Sequence, residues 1–187
     1  MAAGSARAAA RKKVYRVGLL TNGLVIGATD ERRKNLVSGL AAQGFVEGQN
    51  LIFEQRSAEA QPRRLDGLVG ELKAANVDVI VTFGYPPALA AKNLAGGIPV
   101  VVTGAGDPVA TGLVDGLARP GGDLTGVTEL STDLSTKRLE ILKDAIPKLR
   151  NVAMLWNADD LGMTLRYKAA ESAAGVLPCR GTAGASA

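Results

Sequence analysis

Residues 77–102 read VDVIVTFGYPPALAAKNLAGGIPVVV, and this stretch decides the fold class. The apolar run at 77–83 is typical of a strand that is buried on both faces of a sheet. A glycine and two prolines then introduce an alanine-rich helix, which the pair Gly96-Gly97 ends. A second run rich in valine follows at 98–102. Strand, helix and strand in this order predict a βαβ unit with parallel strands.

The same alternation extends in both directions along the chain. Further strands are predicted at 14–20, 51–56 and 124–128, with helices that begin near Thr29 and at Pro62. The dipeptide Asp107-Pro108 has the pattern of an N-cap and first turn, which predicts a short helix after the fourth strand. We therefore predict a doubly wound α/β lobe, in which helices cover both faces of a five-stranded parallel sheet.

The pattern changes after residue 130. A polar crossover at 131–135 leads into a predicted helix that ends at Pro147, and a strand at 151–157 and a helix at 164–174 follow. This organisation predicts a first lobe at 14–130 and an incomplete second lobe at 131–175. Residues 176–187 have no hydrophobic period, so we expect a disordered tail. Residues 1–13 are basic and rich in small side chains, which fits either a disordered arm or the remnant of a signal peptide.

Composition argues against several classes of function. The absence of His excludes Ser-His-Asp and Cys-His catalysis, and no phosphate-binding glycine loop is apparent. No acid and base stand at catalytic spacing, so we predict that the protein is not an enzyme and needs no cofactor or metal. The net charge of +4 is spread over dispersed basic clusters, which argues against a nucleic-acid partner. No apolar run reaches the roughly 18 residues of a membrane span.

Ligands of open parallel sheets bind beyond the carboxyl ends of the strands, where exposed amides and helix N-termini favour a carboxylate. Asp107 either caps a helix or accepts a substrate ammonium group, and one carboxylate can do both. Tyr85 either stacks on an apolar substrate or covers the sheet edge. The candidate ligand-binding residues follow strands one, three and four: Thr21, Asn22, Gly84, Tyr85, Pro86, Gly106 and Asp107.

Several segments, taken in order, resemble a known family. They are VYRVGLL at 14–20, GFVEGQNL at 44–51, VDVIVT at 77–82, PALAAK at 87–92, GDPV at 106–109, ARPGGDLTG at 118–126 and KRLE at 137–140. The family is that of the ABC-transporter substrate-binding proteins of the tryptophan/tyrosine type, and the resemblance runs from about residue 14 to about residue 174.

This resemblance implies a type I periplasmic-binding fold, whose two lobes close by a hinge on a small, amino-acid-like ligand. The implied partner is a membrane permease of an ABC importer. The implied location is the periplasm, although the chain as written shows no complete signal peptide and would remain cytoplasmic. Asp107 and the loops after strands one and three are implied to face the cleft.

The resemblance covers only part of a second lobe, so we expect ligand binding to be impaired. If the missing part supplies half of the binding free energy, a site of about 1 μM weakens to about 1 mM. The strand at 152–156 is then expected to lack its neighbours in the sheet. Two other functions are the alternatives. One is a ligand-sensing regulatory domain of the same fold, against which the N-terminal arm shows no helix-turn-helix pattern. The other is an α/β enzyme of the flavodoxin or nucleotide-binding kind, which the missing phosphate motifs and the absence of His disfavour.

Overall fold

A computed structural model of the chain describes residues 13–176 and 180–186. The predicted N-terminal arm, apart from Lys13, lies outside the described residues. Strands and helices alternate along the described chain, and a 3₁₀ turn at Pro62–Arg64 precedes the second helix. The elements are β1 (Tyr15–Thr21), α1 (Glu31–Ala42), β2 (Leu51–Ser57), α2 (Leu65–Ala74), β3 (Val79–Phe83), α3 (Tyr85–Leu94), β4 (Val100–Thr103), β5 (Leu124–Val127), α4 (Ser131–Ala145), β6 (Asn151–Asn157), α5 (Leu161–Val176) and β7 (Arg180–Ser186).

The first five strands form one parallel sheet in the order β2-β1-β3-β4-β5. The prediction of a five-stranded parallel sheet is confirmed, and each strand lies within two residues of its expected bounds. The strand order reverses between β1 and β3, because β2 lies on one side of β1 and all later strands lie on the other. Such a reversal opens a crevice at the carboxyl ends of the two strands.

Helices cover both faces of this sheet, as the apolar run in β3 predicts. Ile80 and Val81 are successive residues with exposures of 0% and 6%, and they belong to opposite hydrophobic clusters because side chains alternate along a strand. The cluster of Ile80 contains the buried leucines of α2 and the alanines of α3. The cluster of Val81 is closed by Leu36 and Leu40 of α1. The lobe is therefore doubly wound.

The second sheet contains β6 and β7, which pair in parallel from Asn151↔Arg180 to Asn157↔Ser186. This finding corrects two expectations: β6 has a strand neighbour, and the tail predicted to be disordered from residue 176 contains a strand. The tail carries no hydrophobic period, but ladder hydrogen bonds are made by the backbone and need none. A strand edge such as that of β6 is a template for this pairing.

Candidate functional site

The carboxyl ends of the strands meet along one edge of the five-stranded sheet, which we call the rim. Thr21 is in register with Ser57 on one side and with Phe83 on the other. Phe83 is in register with Thr103, and Thr103 with Val127. The rim is therefore a row of five strand ends, and the loops that carry the predicted site residues all leave from it.

The loop after β1 is shaped by local hydrogen bonds. Thr21 is 5% exposed, and its hydroxyl donates to the carbonyl of Leu24 at 3.2 Å, so this side chain holds the loop. A second hydroxyl, that of Ser57, donates a hydrogen bond to the carbonyl of Gly23. The side-chain oxygen of Asn22 is buried and has no hydrogen-bond partner among the described residues. Of the two predicted residues in this loop, Asn22 carries the unused polar atom.

The loop after β3 turns directly into α3. Gly84 has φ +94°, a conformation that favours glycine, and its amide donates to the carbonyl of Thr103 at 2.9 Å. Pro86 is half-buried in the first turn of α3, where its missing N–H is no loss. Tyr85 is 9% exposed and belongs to the main hydrophobic cluster, which fits a side chain that covers the sheet edge.

The loop after β4 contains a capped turn where a short helix was predicted. One carboxylate oxygen of Asp107 accepts from the amides of Val109 and Ala110, both at 3.0 Å, as a helix cap would. The turn closes because Gly112 adopts φ +70° and the carbonyl of Pro108 accepts from two later amides. The cap signal at Asp107 was read correctly, but the helix prediction was wrong.

A cleft of about 560 Å³ lies at the carboxyl ends of β1 and β3, where the strand order reverses. Its lining includes Thr21 and three residues that were not predicted: Asp30, Arg32 and Phe83. The guanidinium of Arg32 lies 5.5 Å from the centroid of the Phe83 ring. Arg32 also holds Asp30 through two side-chain hydrogen bonds, at 3.0 and 2.7 Å. The cleft thus combines an aromatic face with an ion pair.

The sequence alone gives only part of the information needed to assign these three residues to a site. Phe83 is the last residue of β3, and Asp30 is the N-cap of α1, one residue after the expected Thr29. The side chain of Asp30 accepts from the amide of Arg32 at 2.9 Å, and the hydrogen bonds from Arg32 lower the pKa of Asp30 to about 2. Phe83 could be predicted from the rule that ligands bind at the carboxyl ends of parallel strands. Asp30 and Arg32 could not, because their positions depend on where α1 starts.

The start of α5, shortly after β6, lies against the rim. A Cβ placed on Gly162 would lie 3.1 Å from the carbonyl oxygen of Ala105 and 3.4 Å from Cβ of Tyr85. Burial, followed by the negative charge of Asp160, raises the pKa of Tyr85. Gly106 is buried and approaches the backbone of Gly162 in the same way. The second sheet therefore faces the carboxyl edge of the first one across Tyr85 and Gly106.

Within residues 13–176 and 180–186, no group of three or more acidic or cysteine side chains could hold a metal ion. Among the same residues, no helix combines the length and the apolarity that crossing a membrane requires.

A doubly wound lobe whose loops gather at one edge of the sheet, opposite the start of a second α/β sheet, defines the ligand-binding lobe of a periplasmic-binding-type protein. The family model described as ABC transporter substrate binding protein matches residues 24–168. This match covers most of the chain. The chain therefore belongs to the ABC transporter substrate-binding protein family, as its segments had indicated.

Individual relatives agree with this assignment. A tyrosine-binding protein of Clostridioides difficile strain R20291 is 28% identical over 138 residues, which are 73% of this chain and 39% of that protein. The crystal structure of a conserved domain protein from Vibrio cholerae matches with a TM-score of 0.85 and 26% identity over 93% of this chain and 58% of that one. A Streptococcus pneumonia ABC domain in complex with L-Trp shares the fold, with a TM-score of 0.78 and 20% identity over 93% of this chain and 58% of that one.

The chain spans 39% of the curated relative and 58% of each solved chain named here. The family and the curated relative are described as binding proteins.

Proposed function

We propose that the chain is part of the extracytoplasmic solute-binding subunit of an ABC importer. In this proposal residues 14–130 form the first lobe and residues 131–175 belong to the second. The protein binds a small, amino-acid-like ligand without chemical conversion and passes it to a membrane permease. The observation that carries the proposal is the contact of the start of α5 with the rim, because it brings the α/β unit of the second sheet against the loops that follow β3 and β4.

The cleft at the strand reversal supports a ligand that has both an apolar and a charged part. Its walls include Leu24, Val25 and Phe83, together with the ion pair of Asp30 and Arg32. Pockets of this kind bind through apolar area and are oriented by a few polar groups. Next to this lining, Asn22 at the end of β1 carries a buried oxygen that has no partner among the described residues.

The named relatives suggest which ligand to test first. One is a tyrosine-binding protein, and another was solved with L-Trp. An aromatic amino acid would place its ring against the Phe83 face and its charged groups near the loops after β3 and β4. Binding by the chain alone is expected to be weak if the second lobe supplies part of the contacts, so the assay must detect millimolar affinity.

The test is a titration of ¹⁵N-labelled protein with L-tryptophan, followed by amide chemical shifts. Shifts are expected at Asn22, Phe83 and Gly106, which lie at the ends of three different strands. Fructose serves as the control ligand, because it has neither an aromatic ring nor a charged group. Shifts spread evenly over the surface, or equal shifts with fructose, would refute amino-acid binding at the rim.

Two variants of Asp107 separate a ligand contact from a structural cap. Asp107→Asn keeps an oxygen that can accept from the amides of Val109 and Ala110, but it removes the charge. Asp107→Ala removes both, and loss of the cap should lower the free energy of unfolding by about 0.5–2 kcal/mol. Weaker L-tryptophan binding by the stably folded Asp107→Asn variant would identify Asp107 as the partner of the ligand ammonium. Unchanged binding would leave it a cap.

A further inference from the structure

The first turn of α4 presents amides that have no acceptor within the helix. The helix has 15 residues and begins at Ser131, and its first intrahelical bond runs from the amide of Leu134 to the carbonyl of Leu130 at 3.0 Å. Leu130 is the N-cap, and within the described chain no side chain caps the helix. The amides of residues 131–133 therefore point out of the helix, at the positive end of its dipole.

Two buried hydroxyl groups lie at the same helix end. Ser131 is 1% exposed, and its hydroxyl has no hydrogen-bond partner among the described residues. The hydroxyl of Thr132 is also buried and without a partner there. Because Cα–Cβ bonds tilt towards the N-terminus of a helix, both hydroxyls lie beside the open amides. Buried donors without acceptors are costly, so a pair of them indicates that an acceptor completes this cluster.

This cluster borders the rim. The hydroxyl of Thr128 donates to the carbonyl of Gly106 at 2.9 Å and accepts from the amide of Leu130 at 3.2 Å. The carboxylate of Glu129 lies beside Gly104, 3.3 Å from the position of a Cβ on that residue. The segment that leads into α4 is therefore tied to the loop after β4, and the helix begins where the chain crosses from the first sheet to the second.

We propose that the N-terminus of α4 binds the carboxylate group of the ligand. The hydroxyls of Ser131 and Thr132 and the three open amides are the donors. This inference rests on the proposed function and narrows the ligand class to carboxylates. A donor-rich helix end suits an anion, whereas a sugar hydroxyl also needs acceptors. The acidic groups available for the ammonium group of the same zwitterion are Glu129, beside Gly104, and Asp107, in the loop after β4. Asp133, in the first turn, is exposed to solvent, which screens its charge.

The inference is tested with the full chain and a pair of ligands, L-tryptophan and tryptamine, which lacks the carboxylate. Ser131→Ala should weaken L-tryptophan binding about tenfold and leave tryptamine binding unchanged. Ser135→Ala is the matched control, because that hydroxyl already donates to the carbonyl of Ser131 at 2.7 Å. It should change neither affinity. Thr132→Val removes the second hydroxyl with little change in shape and should act like Ser131→Ala, even if the latter folds poorly.

The outcomes separate this inference from the proposed function. If the wild-type chain binds L-tryptophan at the rim and both hydroxyl variants bind it equally well, the carboxylate site is refuted while the proposed function stands. If the variants weaken L-tryptophan and tryptamine by the same factor, the two hydroxyls have a structural role and the inference is again wrong. If L-tryptophan causes no shift at the rim of the wild-type chain, both proposals fail together.

Discussion

Replacing Gly126 by alanine should push β5 away from β4. A Cβ on Gly126 would lie 2.1 Å from the carbonyl oxygen of Val102, in the neighbouring strand, whereas real Cβ contacts essentially never fall below 3.0 Å. The strands must therefore separate by roughly 0.9 Å. The hydrogen bond at the start of the strand, from the amide of Val100 to the carbonyl of Asp123, is 2.8 Å long and would exceed the length of a hydrogen bond after such a shift.

The expected magnitude follows from what β5 contributes. The strand lies at the edge of the described sheet and buries Leu124, which is 8% exposed. Burial of a leucine side chain is worth about 1.5–3 kcal/mol, and each ladder hydrogen bond about 0.5–1.5 kcal/mol. Because a shifted strand keeps part of both, we expect Gly126→Ala to lower the free energy of unfolding by about 2–4 kcal/mol.

Urea unfolding followed by circular dichroism measures this loss. The single tryptophan, Trp156, stacks on Tyr167 at 3.8 Å, so its fluorescence reports separately on the second sheet. Gly67→Ala is the control, because Gly67 is exposed within α2 and nothing lies within 4 Å of its Cβ position. That change should stabilise the helix by about 0.5–1 kcal/mol. A Gly126→Ala protein within about 0.5 kcal/mol of the wild type would refute the close approach of β5 to β4.

Three further predictions concern the rim. The pKa of Asp30 is lowered from 3.8 to about 2 in the folded protein, so its contribution to stability is present above pH 4 and lost as the pH falls towards 2. Asp30→Asn keeps the cap oxygen but cannot ionise, so it should flatten the pH dependence of the urea midpoint in that window. Asp160→Asn should lower the raised pKa of Tyr85 in an ultraviolet titration, in which Tyr85→Phe identifies the transition of this residue. An unchanged transition would contradict the proximity of Asp160 to Tyr85. Gly162→Val should push the start of α5 away from the first lobe, because even a Cβ on Gly162 would lie 3.1 Å from the carbonyl oxygen of Ala105, and it should increase proteolysis in the loop after β4; unaltered protection would argue against that packing.

Much of the first lobe follows from local pattern. The run at 77–83 predicts a strand that is covered on both faces, and Ile80 and Val81 do lie in opposite clusters. The cap signal of Asp107 is equally local, and its carboxylate accepts from two amides as expected. The helix after Asp107 could not be excluded from the sequence, because its end depends on the positive φ that Gly112 adopts.

The candidate site was accessible to sequence reasoning in part. The rule for strand ends located the loops of Asn22, Gly84 and Gly106, and the register of the strands places them along one edge. The same rule did not reveal Arg32 or Ser131, because each lies on a helix whose start meets the rim only after the chain has folded.

Apart from the helix expected after Asp107 and the strand β7, the amino-acid sequence by itself determined the kinds of elements and their order, because apolar spacing, caps and glycine stops act over a few neighbouring residues. Tertiary structure alone decided the strand order, the burial of Tyr85 and the pairing of β7 with β6. A tyrosine after a strand is compatible with either a core or a ligand contact, and a tail without hydrophobic period can still complete a ladder. Such choices depend on which distant backbone and side-chain groups compete for the same space, and that competition exists only in the folded chain.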